Sequence, residues 1–147
     1  TDILRGEAGN DRLAQFGSTA NLYGGAGNDT LTATGANVRV FGDGGADVIV
    51  IRDSYADIWG GGGDDILRLD GYDATLRYDA PNQSGRDKVF GFDIYGDQIA
   101  FGSRYDATDL SFSRAAGGKL LLEIGKTAIL FADLRFAEAT SLQIDFA

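Results

Sequence analysis

The chain has 147 residues, enough for one hydrophobic core of ordinary size, and carries a formal net charge of -9 with a sequence pI near 4.3. That acidity argues against nucleic acid, whose phosphates need clustered Lys and Arg, and against anionic membranes; no apolar run approaches the ~20 residues of a membrane span. Cys and His are both absent, which removes disulfides and thiolate sites, disfavours zinc, copper and non-haem iron, and leaves oxygen-bound hard cations.

The acidic residues are nearly all aspartate, with Glu only at Glu7, Glu123 and Glu138. A short carboxylate close to the backbone suits turns and the ligation of hard cations. The 22 glycines against one proline indicate a backbone that needs unusual dihedrals many times without being a proline-rich linker. Thr1 does not open a signal peptide, so the sequence reads as part of a longer protein.

From the start of the chain, every ninth position is aliphatic: Leu4, Leu13, Leu22, Leu31, Val40, Ile49, Ile58, Leu67 and Leu76. A second pattern recurs at twice that interval. Gly6-Glu-Ala-Gly-Asn-Asp11, Gly24-Gly-Ala-Gly-Asn-Asp29, Gly42-Asp-Gly-Gly-Ala-Asp47 and Gly60-Gly-Gly-Gly-Asp-Asp65 start eighteen residues apart. Between them Ala20, Val38, Ala56 and Ala74 stand where the aspartate would fall. One coil is therefore eighteen residues with two unlike sides, each coil reading as turn, short strand, turn, short strand. A single coil buries nothing, so stability has to come from stacking, with strands spaced about 4.8 Å apart. Leu4, Leu22, Val40 and Ile58 form one expected inward ladder; Leu13, Leu31, Ile49 and Leu67 form the other.

Glycine at the first and fourth places of a tight turn lets the backbone aim several carbonyls at one point. Calcium takes six to eight oxygens at roughly 2.3–2.6 Å, more than one turn supplies, so two successive turns would have to share an ion. Single Gly-Asn-Asp turns are ordinary solvated turns; four in register point to ions instead. The second glycine is replaced by Glu7 and Asp43, which strains those turns or adds a ligand. On the opposite side Gly17, Gly35, Asp53 and Gly71 read as plain turns, while Asp57, Asp70 and Asp73 read as solvated carboxylates.

These residues resemble the nonapeptide repeat of RTX proteins, Gly-Gly-x-Gly-x-Asp followed by an aliphatic residue, over residues 4 to about 76. The resemblance implies an all-β fold, a right-handed parallel β-roll with 18 residues per coil, closed by a carboxy-terminal antiparallel β cap. It also implies that Asp11, Asp29, Asp47 and Asp65 supply carboxylates to calcium. The carbonyls would come from Gly6, Ala8, Asn10, Gly24, Ala26, Asn28, Gly42, Gly44, Ala46, Gly60, Gly62 and Asp64. Four turns leave three gaps, hence about three ions on one side of the roll. Tyr23, Phe41 and Trp59, with Arg5 in the same row, form an aromatic stripe that either packs over the turns or binds a glycan.

Beyond Leu76 the period fails, and Ala80-Pro81-Asn82-Gln83-Ser84-Gly85 reads as a loop. We therefore expect the roll over residues 1–80 and a β-rich capping segment over 81–147. The stretch Asp87–Phe101 is similar to the segment that follows RTX repeats, with Asp87 and Asp97 open to turn, strand-end or calcium roles. Leu110–Phe112, Lys119–Ile124 and Thr127–Phe131 read as an antiparallel meander blocking the last coil edge. Asp145-Phe146-Ala147 looks like a natural carboxy-terminus.

The resemblance implies the carboxy-terminal module of a type I secretion substrate, with a secretion signal in the capping segment and an extracellular or cell-surface bacterial location. Calcium and, during export, the type I secretion machinery are its expected partners, and a monomer is expected. A carbohydrate-binding or adhesive accessory module, like the R-modules of alginate epimerases or the terminus of an RTX adhesin, is the alternative. No enzyme is expected here: Asp64 and Asp65 lie within the repeat, and the serines have no histidine base. An upstream region is free to be one.

Overall fold

The computed structural model describes residues 1–52, 55–80 and 83–146. Asp53, Pro81, Asn82 and Ala147, named above in turn, loop and terminus, lie outside the described residues. The chain winds as a parallel β-solenoid of about five turns whose strands alternate between two sheets.

The first sheet is formed by β1 (Asp2–Ala8), β3 (Ala20–Ala26), β5 (Arg39–Gly44), β7 (Asp57–Trp59), β9 (Thr75–Tyr78), β11 (Gln98–Phe101) and β15 (Gln143–Phe146), in that order and parallel throughout. The second runs β2 (Arg12–Phe16), β4 (Thr30–Thr34), β6 (Val48–Ile51), β8 (Ile66–Leu69), β10 (Gly85–Phe90) and β14 (Thr127–Arg135) in parallel. It then turns antiparallel through β13 (Lys119–Ile124) and β12 (Leu110–Arg114).

The register is the sequence period made spatial. Leu4 pairs with Leu22, Leu22 with Val40, and Val40 with Ile58; Leu13, Leu31, Ile49 and Leu67 pair likewise on the facing sheet. From Leu22 onward these side chains are at most 1% exposed. Each contributes roughly 1.5–3 kcal/mol of burial that exists only because its neighbours are stacked.

Parallel pairing does not stop at residue 80, where the sequence placed the end of the roll. Leu67 pairs with Val89 at an offset of 22, and Leu76 with Ile99 at an offset of 23. Extra residues in the intervening turns put the pattern out of phase without breaking the ladder. The expected meander is present as β12–β14, yet β14 is also a parallel rung, with Val89 opposite Phe131. The other sheet ends on β15, where Ile144 pairs with Ile99 and Phe146 with Phe101. Antiparallel strands thus close one sheet and a carboxy-terminal parallel strand closes the other.

Candidate metal centre

The four glycine–aspartate turns stack along one edge of the roll, and their aspartates form a column. The backbone N–H of Asp11 donates to Asp29 Oδ1 at 2.7 Å, that of Asp29 to Asp47 Oδ1 at 2.7 Å, and that of Asp47 to Asp65 Oδ1 at 2.9 Å. One oxygen of Asp29, Asp47 and Asp65 is thereby used to hold the coil before it. The other is not: Oδ2 of Asp11, Asp29, Asp47 and Asp65 is buried and has no hydrogen-bond partner. Asp29, Asp47 and Asp65 are each 1% exposed.

A buried carboxylate oxygen with no partner is costly, and four in register demand an explanation. The glycines supply it. A Cβ added at Gly24 would stand 2.5 Å from Asp29 Oδ2 and 2.7 Å from the Gly42 carbonyl; one at Gly6 would stand 2.7 Å from Asp11 Oδ2 and 2.5 Å from the Gly24 carbonyl. Gly42 meets Asp47 Oδ2 and the Gly60 carbonyl in the same way. The first glycine therefore keeps open a cradle between the orphaned oxygen of its own turn and a carbonyl of the next. Such a concave, anionic, oxygen-only set suits a hard divalent cation.

Other carbonyls expected to face the ion have a structural bond as well. Those of Ala26, Gly44 and Gly62 accept the N–H of Gly9, Gly27 and Gly45 at 2.8–2.9 Å, which leaves one lone pair on each. At the fifth motif place the side chains run the opposite way. Asn10 Oδ1 accepts from Asn28 N–H, Asn28 Oδ1 from Ala46 N–H, and Asp64 Oδ1 from Arg86 N–H. The carbonyls of Gly6, Ala8, Asn10, Asn28, Ala46 and Asp64 belong to the same stacked turns.

The electrostatics follow from crowding. Burial pushes Asp47 up to about 7, and the carboxylates of Asp65, Asp29 and Asp43 push the same way against the Asp29 N–H bond. Burial likewise pushes Asp65 up to about 7, with Asp87 and Asp64 adding to it. Like charges stacked at a strand spacing of about 4.8 Å repel by roughly 3 kcal/mol at an effective dielectric of about 20. Among the described residues no three acidic side chains converge as a metal cluster. Each gap instead offers one carboxylate oxygen and backbone carbonyls.

The family model described as RTX calcium-binding nonapeptide repeat, in 4 copies, matches residues 1–14, 23–50 and 57–71. The matched coils are RTX calcium-binding nonapeptide repeats. Among curated proteins none matches the chain. Among solved structures, the solution structure of the AlgE6R3 subunit from the Azotobacter vinelandii mannuronan C5-epimerase is similar at 21% identity and a TM-score of 0.43, covering 95% of this chain and 81% of that one.

Two RTX turns depart from glycine at the second place, and the backbone there is left-handed all the same: Glu7 has φ 76° and Asp43 φ 69°, in the column where Gly25 has 106° and Gly61 103°. The strain expected from sequence is real, of the order of 1–2 kcal/mol per residue. With Arg5, Tyr23 and Gly25 their side chains line a depression of about 240 Å³ that none of the four column aspartates lines. On the opposite side of the RTX roll, Ala20, Val38, Ala56 and Ala74 are 1–2% exposed, and between the exposed Asp2 at its head, which pairs with Ala20, and Asp97 no carboxylate stands in that column. Asp97 Oδ1 accepts from Ala74 N–H and its Oδ2 from Asp93 N–H, each at 2.8 Å. Asp57 accepts from Arg77 Nε at 2.6 Å.

The aromatic stripe exists as a stack. Tyr23 and Phe41 lie with centroids 4.7 Å apart and planes within 4°, and Phe41 and Trp59 lie 4.4 Å apart within 12°. Arg5 covers the outer face of Tyr23 at 4.8 Å and Arg77 that of Trp59 at 5.5 Å. The ring faces are taken up by one another and by two guanidinium groups, leaving ring edges outward.

Three residues of this edge fall outside the eighteen-residue period. Asp87 is the fifth aspartate of the column, its Oδ1 accepting from Asp65 N–H at 3.1 Å and its Oδ2 from the Tyr78 hydroxyl at 2.8 Å. Gln83, four residues earlier in the chain, is also buried. The signal was available: Gly85-Arg-Asp-Lys-Val89 repeats Gly63-Asp-Asp-Ile-Leu67 once an offset of 22 is admitted.

Proposed function

We propose that this chain is a non-catalytic calcium module of an exported protein, open where free calcium is scarce and closed by the ion outside the cell. The observation that carries it is the column of buried, partnerless Oδ2 atoms on Asp11, Asp29, Asp47 and Asp65, each beside a glycine cradle. Asp29 Oδ2 with the Gly42 carbonyl, and its counterparts one coil away in either direction, would hold the ions. Bound there, calcium supplies the positive charge that lets stacked carboxylates remain ionised.

Without the ion the coils must bury anions unpaired and hold them against mutual repulsion, which favours an open, exportable chain. With it, binding free energy becomes folding free energy. The last third closes the roll and completes the reading of a type I export substrate that folds after release. Far-ultraviolet circular dichroism across a calcium titration tests this directly. We expect β signal to rise cooperatively with a midpoint of roughly 0.1–1 mM, as in extracellular modules, and to collapse reversibly in chelator. A spectrum indifferent to chelator would overturn the reading.

A further inference from the structure

The fourth turn differs from the other three in what is stacked on it. Two residues beyond the pairing of Ile58 with Leu76, the fourth turn has Gly60 and the following coil has Tyr78 rather than a glycine. Two residues later Gly62 bridges Ser84, so the offset has grown from 18 to 22 within that turn. Gln83 immediately precedes Ser84, whose N–H donates to the Gly61 carbonyl at 3.3 Å.

Gln83 is 7% exposed. Its Nε2 donates to the Arg77 carbonyl, which fixes the amide, while Oε1 is buried with no partner. At the same junction Asp65, 1% exposed, also carries a buried and partnerless Oδ2. The Gly60 cradle is open there too: an added Cβ would stand 2.5 Å from that oxygen, and the nearest described atoms are all those of Asp65. Two orphaned oxygens, one anionic and one amide, thus belong to the same junction between the fourth turn and the coil stacked on it. A buried amide oxygen is left bare only at a cost, unless a cation or donor occupies the space.

We propose that Asp65 and Gln83 hold a fourth divalent cation between the fourth and fifth turns, with the Gln83 amide oxygen standing in for the glycine carbonyl of the first three gaps. The matched repeats end at residue 71, so the nonapeptide pattern does not announce this site. The column ends with it, because Tyr78 already satisfies the free oxygen of Asp87. The proposal rests on the calcium reading above and adds an ion and a ligand to it.

Equilibrium dialysis of the full chain against calcium, with isothermal titration for the affinities, counts the ions. We expect four per native chain and three for Gln83→Ala. For Gln83→Glu we expect four, with the weakest ion held about tenfold more tightly because affinity grows with ligand charge. Three ions on the native chain, or four on Gln83→Ala, would overturn the fourth site while leaving the module a calcium binder. No ion on the native chain would sink both readings. Should Gln83→Ala fail to fold, the native count and the affinity of Gln83→Glu still decide the matter.

Discussion

One inward column of the first sheet is filled in two opposite ways along the molecule. In the first four coils it is Gly6, Gly24, Gly42 and Gly60, which contribute no side chain and leave a cradle of oxygens. In the coils that follow it is Tyr78, Phe101 and Phe146, with successive ring centroids 5.7 and 5.8 Å apart, the first pair tilted and the second stacked. The same backbone rung is closed at one end by protein and at the other by a space that fits an ion. Hydrophobic filling is always present, whereas an ion depends on its concentration outside the molecule. The two ends should therefore differ in what their stability depends on, and the border between them lies between Gly60 and Tyr78.

The harshest way to break the contrast is to put a side chain into the glycine half. In Gly42→Ala the new methyl would meet Asp47 Oδ2 at 2.5 Å and also the Gly60 carbonyl. Both are fixed by the column, so neither can yield cheaply. Overpacking alone costs about 1–3 kcal/mol, and the cradle between the third and fourth turns is lost as well. We expect Gly42→Ala to need at least tenfold more calcium to reach half of its β signal. The change Gly117→Ala, at a position with open space around it but φ 74°, is the control: it carries backbone strain and should leave the calcium midpoint in place. Equal midpoints for the two variants would show that the cradle is not the ion's place.

The same border marks how far the sequence could be read. Within the repeats every coil spends the same eighteen residues, so the aliphatic ladders, the glycine cradles and the one-sided aspartates all follow from counting. At Tyr78 the count changes, because a turn can lengthen at the surface while its strands stay in register. Asp87, Val89 and Ile99 keep their places at offsets that a fixed period cannot find. Tyr78 was invisible for a different reason. Its role depends on a hydroxyl reaching Asp87, and no local pattern distinguishes that from an ordinary strand tyrosine.

A gentler test changes charge instead of shape. Asp47 and Asp65 are pushed up to about 7 and Asp87 to about 6, chiefly by burial, from an ordinary value of 3.8. A carboxyl raised on folding contributes stability in full below its unfolded pKa and loses it as pH rises through the folded one. In chelator the metal-free chain should accordingly gain β signal and thermal midpoint as pH falls from 8 towards 5. In saturating calcium the slope should reverse, because the ion needs the deprotonated oxygens and protons compete for them. Thermal melts at several pH values, with calcium and with chelator, would expose the crossing. Parallel slopes in the two conditions would mean that the column does not exchange protons for ions.

The smallest expected change is at the border itself. Tyr78 is 4% exposed, and burial holds its phenol well above the ordinary value, with the carboxylate of Asp87 adding to it, so the hydroxyl remains a donor. In Tyr78→Phe the ring still fills the column against Phe101, and only the bond to Asp87 Oδ2 disappears. A buried acceptor that loses its donor costs about 1–3 kcal/mol. Because that bond belongs to the protein-filled end, the loss should appear equally with calcium and with chelator at pH 5, and the calcium stoichiometry should stay at its native value. If the variant instead bound one ion more, Asp87 would have joined the cradle column, and the tyrosine hydroxyl would be what keeps the ion ladder from running further into the cap.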